Sequence, residues 1–187
     1  KAFNITEIST DVKVLGLAKN SYGIFENAST LTQEDFNPTI GDNDFGVKLE
    51  SVEKVSGKVS IADADIVVSA GRGLKGPENW GMIEELAAVL GAATACSKPV
   101  SDLGWRPHAE HVGQTGKPVA TNLYIAIGIS GAIQHIAGIN SSKVKVVINS
   151  DPEAPFFKVA DYGIVGDAFE IVPKLIEKFK AFKAQHS

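Results

Sequence analysis

The chain has 187 residues, 44% of them hydrophobic and 21% charged, so it can bury a substantial core and is not disordered throughout. Its 18 basic and 22 acidic residues leave a net charge of -4 with no basic stripe, which argues against nucleic acid or an anionic membrane as partner. The single cysteine, Cys96, excludes an internal disulfide framework and suits a reducing compartment, and no apolar run approaches the length of a membrane span.

In chain order, Phe3 to Ile8 alternates weakly and Val12 to Leu17 alternates better, which predicts two short strands with a turn signal at Asn20-Ser21. Two strands cannot build a stable sheet, so residues 1–25 are read as the remnant of a truncated N-terminal domain. The chain opens on Lys1, and it is read as a piece of a longer protein. Residues 26–46 are polar, acidic and punctuated by Pro38, Gly41 and Gly46, which predicts a linker. The main domain is then residues 47–187, beginning near Val47 to Ala62.

Within it, strand and helix signals alternate. Asp65 to Ala70 is a continuous apolar strand ending in Gly71-Arg72-Gly73, and Trp80 to Leu90 sets Trp80, Ile83, Leu86, Ala87 and Leu90 on one helical face. Further strands are expected at Ala92 to Cys96, Leu123 to Ile127, Lys145 to Ile148 and Tyr162 to Val165. A closing helix from about Phe169 to Phe182 turns Ile171, Val172, Leu175, Ile176 and Phe179 inward, with Lys174, Lys178 and Lys180 outward. This order predicts a doubly wound, Rossmann-like α/β fold with a mostly parallel sheet and helices on both faces. Ligands of such sheets sit beyond the carboxyl ends of the strands. Here those ends carry Gly71-Arg72-Gly73, Ser97-Lys98, Gly128-Ile129-Ser130 and Asn149-Ser150-Asp151.

The densest run of candidate chemistry is Val112 to His135, VGQTGKPVATNLYIAIGISGAIQH. It joins a glycine-flanked Gln114-Thr115 pair, a buried strand, a Gly128-to-Gly131 turn and a helix start ending in Gln134-His135. Backbone N–H groups at such a strand-to-helix turn suit a phosphate, and Gln114, Thr115, Gln134 and His135 add side chains able to read a polar ring. Three readings of Gly128 to Ala132 stay open: a phosphate cradle with Ser130 capping the helix, a nucleophile elbow in a serine hydrolase, and a plain capped turn. The hydrolase reading lacks the final glycine of the elbow, since residue 132 is alanine. Arg72 puts a guanidinium where an anion would sit, or is a surface arginine in a glycine turn. Cys96 reads as a small buried residue, and His108, Glu110 and His111 as loop residues whose spacing fits no metal site well.

Four blocks together, GRGLKGPENW (Gly71 to Trp80), VGQTGK (Val112 to Lys117), LYIAIGISGAIQHIAG (Leu123 to Gly138) and INSDPEAPFFKVADYGIVGD (Ile148 to Asp167), resemble the C-terminal FAD-binding domain of the electron transfer flavoprotein alpha subunit. The resemblance covers roughly two thirds of the chain in order and spacing. It implies a non-enzymatic FAD carrier that pairs with a beta subunit and passes electrons between flavin dehydrogenases and an acceptor oxidoreductase. A bacterial cytoplasm or a mitochondrial matrix would be its compartment. Carried across, the FAD-contacting positions are Arg72, Ser97, Lys98, Val112, Gly113, Gln114, Thr115, Ser130, Gly131, Ala132, Ile133, Gln134, His135, Asn149, Asp167 and Ala168. The resemblance assigns Ser97 and Ser130 to the pyrophosphate, Asn149 and Asp167 to the adenosine end, and Gln114, Thr115 and His135 to the flavin ring. Two positions depart from the family pattern: Lys98 stands where arginine is usual, and His111 where glutamine is common. Lysine keeps the charge but loses the planar fork, and a histidine adds a titratable group near the ring.

Overall fold

The computed structural model describes residues 5–17, 25–51 and 59–186. Five strands, β1 (Ile66–Ala70), β2 (Ala93–Cys96), β3 (Leu123–Ile127), β4 (Val144–Asn149) and β5 (Tyr162–Val165), form one sheet in the order β2-β1-β3-β4-β5, with every neighbouring pair parallel. Four α-helices, α1 (Gly81–Leu90), α2 (Lys98–Asp102), α3 (Ile133–Ile139) and α4 (Ala168–His186), complete the fold. Each strand run agrees with its expected position to within a residue or so, because both faces of a parallel sheet are covered and its central strands are apolar throughout.

The two faces bury separate sets of side chains. On one, Val68, Ala70, Ile125, Ile127 and Ile148 meet Ile83 and Leu86 of α1 and Val172 and Ile176 of α4. On the other, Val67, Tyr124, Ala126 and Val147 meet Val112, Ile139 and Phe156. The second face is therefore closed mainly by the long connection before β3, by α3 and by the turn at Pro155–Lys158. Helix α1 stops at Gly91, whose left-handed φ of 67° lets its N–H return to the carbonyls of Ala87 and Ala88. Helix α4 starts where Asp167 accepts the Phe169 N–H at 2.9 Å, an N-cap that satisfies one of the otherwise free first-turn donors.

Three expectations change. Among residues 5–17 there is no strand: Val12, Val14, Leu15 and Leu17 are exposed, since a run of alternating residues becomes a strand only against a partner ladder. Phe3, the start of the first expected strand, and the Asn20-Ser21 turn lie outside the described residues. Among the described residues the packed core starts at Ile61 and Ala64, and the described side chains of residues 25–51 are exposed around a single 3-10 turn at Asp42–Asp44. Helix α3 runs on through Ile139, because Ile139 is wanted in the core beneath β3. The five-residue α2, with proline in its first turn, follows Ser97 where no helix was expected.

Candidate functional site

The sheet order places the carboxyl ends of β1 and β3 side by side, while the chain leaves β1 toward β2 on one side and reaches β3 on the other. That reversal is the topological switch point, where an open α/β sheet opens a crevice. At its floor two glycine turns touch. Gly71 N–H donates to the Ile127 carbonyl at 2.9 Å and Gly73 N–H to the Gly128 carbonyl at 3.1 Å. A Cβ on Gly71 would sit 2.3 Å from the Gly128 carbonyl oxygen, and one on Gly73 would sit 2.6 Å from the Gly128 Cα. Gly128 itself has a φ of 60° and Gly131 one of 90°, so the turn after β3 is held in the left-handed region that glycine tolerates best.

Around this floor the parallel strands deliver the expected residues to one edge. Arg72 is exposed in the turn after β1, Ser97 is buried at the head of α2, and Ser130 is exposed after β3. Ser130 does not cap α3: the residue preceding that helix is Ala132, and the Ser130 carbonyl accepts the Phe156 N–H at 3.0 Å instead. Its hydroxyl therefore stays two residues ahead of the capping position. Gly131 packs so closely on Phe156 that a Cβ there would lie 2.6 Å from the Phe156 nitrogen. Lys98 reaches back along α2 to Asp102, its ammonium 3.0 and 2.9 Å from the two carboxylate oxygens. Val112 and Gly113 are buried, and Gln114 and Thr115 project from the turn that follows. The Gln114 N–H donates to the Gln134 carbonyl at 2.8 Å, so the Val112-to-Thr115 segment and the start of α3, with Ala132, Ile133 and Gln134 exposed, form one surface.

At the far end Asn149 bridges two turns, donating to the Ile129 carbonyl at 3.0 Å and accepting the Asp151 N–H at 3.0 Å. Asp167 caps α4 through Oδ1 and holds Oδ2 4.0 Å from the Lys75 ammonium, beside the buried Ala168. Gly73, Lys75, Gly128, Asn149, Gly166 and Asp167 border a cleft of about 80 Å³ here. A larger groove of about 650 Å³ lies elsewhere, between α1 and the outer edge of β2, lined by residues such as Ala87, Ala88 and Ala93. It includes none of the expected site residues.

His135 differs from its neighbours on α3. Its ring is buried, with Nε2 2.9 Å from the Tyr124 hydroxyl and the Phe156 ring 6.1 Å away between centroids. Burial, reinforced by nearby His111 and opposed by the Val112 backbone, pushes its imidazole down to about 4. Burial likewise raises the Tyr124 hydroxyl well above the usual phenol range. Bonded to Tyr124, His135 does not serve Ser130 as a base. Its Nδ1 and that of buried His111 have no hydrogen-bond partner among the described residues. Unpartnered buried nitrogens are uncommon in finished proteins and mark a place where another polar group fits.

Several residues that organise the site carried no usable sequence signal. Arg106 grips Glu110 with two bonds of 2.8 and 2.7 Å, reaches Glu84 at 3.1 Å and lies over the Trp80 ring at 5.3 Å. It ties the loop carrying His108 to His111 onto α1. Lys75 is the only non-glycine residue with positive φ among those described, and its ammonium sits 5.0 Å above the Phe169 ring. The Gly-Leu-Lys-Gly run around Lys75 was the one available hint, since tight turns gather glycine.

Comparison with known proteins bears on this geometry. Residues 60–140 match the family model described as "Electron transfer flavoprotein FAD-binding domain". The chain is 49% identical over 149 residues to the electron transfer flavoprotein subunit alpha of Thermoanaerobacterium thermosaccharolyticum, covering 79% of this chain and 45% of that protein. It is 54% identical over 131 residues to the Bacillus subtilis subunit alpha, covering 70% and 40% of the two chains. Against the mitochondrial subunit alpha of Dictyostelium discoideum the identity is 55% over 138 residues, covering 73% and 39%. The chain thus spans less than half the length of these relatives. The glycine turns at 71–73 and 128–131 both fall inside the matched segment.

Proposed function

Because this chain belongs to the electron transfer flavoprotein alpha family and carries its FAD-binding domain, we propose that it holds FAD without a covalent bond along the carboxyl edge of its sheet and serves as an electron carrier. The observation that carries this reading is the switch point: two glycine turns in contact, with Arg72, Ser97, Gln114, Thr115, Ser130, Asn149 and Asp167 delivered to the same edge. The residues present fit the cofactor. The glycine turns place no side chain of their own over the strand ends, the cleft by Asp167 is polar, and the buried His111 Nδ1 has no partner among the described residues.

In this reading Arg72 and the Ser130 hydroxyl meet the pyrophosphate, with the Ser97 turn beside them. Asp167 uses one carboxylate oxygen to cap α4 and offers the other to a ribose hydroxyl. Asn149 already spends both ends of its amide on the protein, so its contribution is to hold the Ile129 and Asp151 turns in place. Gln114 and Thr115 are exposed on the loop, where an amide and a hydroxyl would be free to donate to or accept from the ring. His135 would contribute as a neutral group whose orientation Tyr124 sets through Nε2. Lys98 pairs with Asp102, which screens its charge from the ring more than an unpaired cation would be screened. When bound, FAD supplies the capacity to take up and release electrons, while the protein supplies binding, orientation and electrostatics.

The wider assignment follows the family. A beta subunit completes the flavin's cover, flavin dehydrogenases deliver electrons and a downstream oxidoreductase takes them, in the bacterial cytoplasm or the mitochondrial matrix. No helix among the described residues is long and apolar enough to cross a membrane. The test is titration of the purified chain with FAD, alone and with an electron transfer flavoprotein beta subunit, followed by flavin fluorescence and visible absorbance. Saturable uptake is expected, weakened by Ser130→Ala. Absence of uptake in both arms would overturn the proposal, and so would ester hydrolysis abolished by the same substitution.

A further inference from the structure

We propose that His111 is the positioning residue for the Gln114-Thr115 turn: its neutral imidazole, wedged beneath the two glycines that flank the turn, holds it in place, and the turn loosens when the ring gains a second proton. The positioning stands on the chain's own contacts. Only its consequence for FAD rests on the function proposed above.

The contacts are close. His111 is 2% exposed, and a Cβ on Gly116 would lie 2.9 Å from both its Cγ and its Nδ1, while a Cβ on Gly113 would lie 3.4 Å from Nε2. The ring therefore underlies both ends of the turn, and only glycine at 116 lets it sit there. The His111 carbonyl accepts the Lys117 N–H at 2.9 Å, the next residue's N–H returns to Cys96 at 3.0 Å, and the turn closes through Gly116 N–H to the Gly113 carbonyl at 3.0 Å. The far side rests on α3, where Gln114 N–H meets Gln134 and a Cβ on Gly138 would lie 2.6 Å from the Gly113 Cα. Gln114 and Thr115 are thus held between a histidine and a helix.

The ring has no use for a second proton. Among the described residues Nδ1 has no acceptor. The titratable groups around it come from every packed element: Lys98 and Asp102 of α2, His108 with its ring centroid 5.3 Å away, Glu110 in the same turn, Lys117 across the loop, Cys96 at the end of β2, and His135 of α3. Both carboxylates are committed, Asp102 to Lys98 and Glu110 to Arg106. A charged imidazole would therefore sit buried without a counter-ion, which costs several times what a neutral one does. Consistent with this, burial first, then His108 and Lys98, lower the His111 value from 6.5, with Asp102 opposing. A histidine lowered in the folded state contributes its full stabilisation above 6.5, and loses it as the pH falls below that value.

The test compares the chain with His111→Gln, which keeps a polar side chain but cannot titrate. Amide hydrogen exchange at Gln114, Gly116 and Lys117, corrected for intrinsic rates, is followed without cofactor from about pH 7.5 to 5.5. In the wild type, protection should fall as the pH is lowered, and in His111→Gln it should hold constant. The His111 ring proton resonance, read in the wild type alone, should titrate with its midpoint below 6.5. Constant wild-type protection, an equal loss in His111→Gln, or a loss that His135→Gln removes and His111→Gln does not would each overturn the inference. FAD affinity forms a second arm: it should fall with pH in the wild type and not in the variant. Should FAD fail to bind at any pH, the proposed function fails while exchange still decides the role of His111.

Discussion

Replacing Gly128 by alanine tests the switch point most directly. The new methyl would meet Gly73 Cα at 2.8 Å and the Gly73 carbonyl carbon at 3.2 Å, and these are backbone atoms that cannot swing aside as a side-chain tip would. The backbone of Gly128 also sits at a φ of 60°, where an alanine costs about 1–2 kcal/mol. Overpacking against fixed atoms adds about 1–3 kcal/mol, for a total near 2–5 kcal/mol. With a urea slope of about 2 kcal/mol per molar, the unfolding midpoint should drop by about 1–2.5 M. Two further alanines separate the contributions. Gly91 has a φ of 67° with open space around it, so Gly91→Ala carries only the conformational part, about 1–2 kcal/mol. Gly81 has ordinary helical angles and open space, so Gly81→Ala should stabilise by about 0.4–1 kcal/mol. If Gly128→Ala costs no more than Gly91→Ala in equilibrium urea unfolding, the close approach of the two turns is refuted, and with it the floor of the proposed site.

Two other outcomes follow from buried groups. His135 is held at about 4 against 6.5 in the unfolded chain, so at about 1.4 kcal/mol per pH unit the folded state loses about 3 kcal/mol as the pH falls through that window. The stability gap between wild type and His135→Gln should narrow by that amount from above pH 6.5 to near pH 4, and a gap independent of pH would show that the imidazole is not buried as a neutral group. Burial, with Glu110 adding and Arg106 opposing, pushes the Cys96 thiol up to about 12. It should stay unmodified by a thiol reagent in the native protein and react once urea unfolds it, and rapid native labelling would contradict its place at the end of β2.

The sheet was legible because its signals are local. Ile66–Ala70, Leu123–Ile127 and Tyr162–Val165 are short apolar or β-branched runs bounded by glycine, asparagine or aspartate, and α1 presents Ile83, Leu86 and Ala87 at helical spacing. The same alternation misled at Val12 to Leu17, because nothing in a single run says whether a partner strand exists. That the candidate residues gather at strand ends was legible, yet their individual attitudes were not. His135 turns inward to Tyr124, eleven residues earlier, because the inner side of α3 packs on the sheet face that carries Tyr124. Ser130 loses its expected capping role because helix α3 begins at Ile133, with Ala132 in the capping position. His111, read as a loop residue, becomes one of the larger fully buried side chains because Arg106 and Glu110 fasten its loop over the end of β2.

What the sequence determined by itself is the alternation of strands and helices, the glycine turns at their ends and the family these blocks resemble. Those are properties of neighbouring residues, set by periodicity and by backbone conformations only glycine accepts readily. The tertiary structure decided which turns touch, since β1 lies between β2 and β3 although it precedes both in the chain. That order brings Gly73 against Gly128 and sets His111 beneath Gly116. Whether a histidine is a donor at the surface or a neutral wedge in the interior depends on what packs around it, and packing is a property of the assembled sheet.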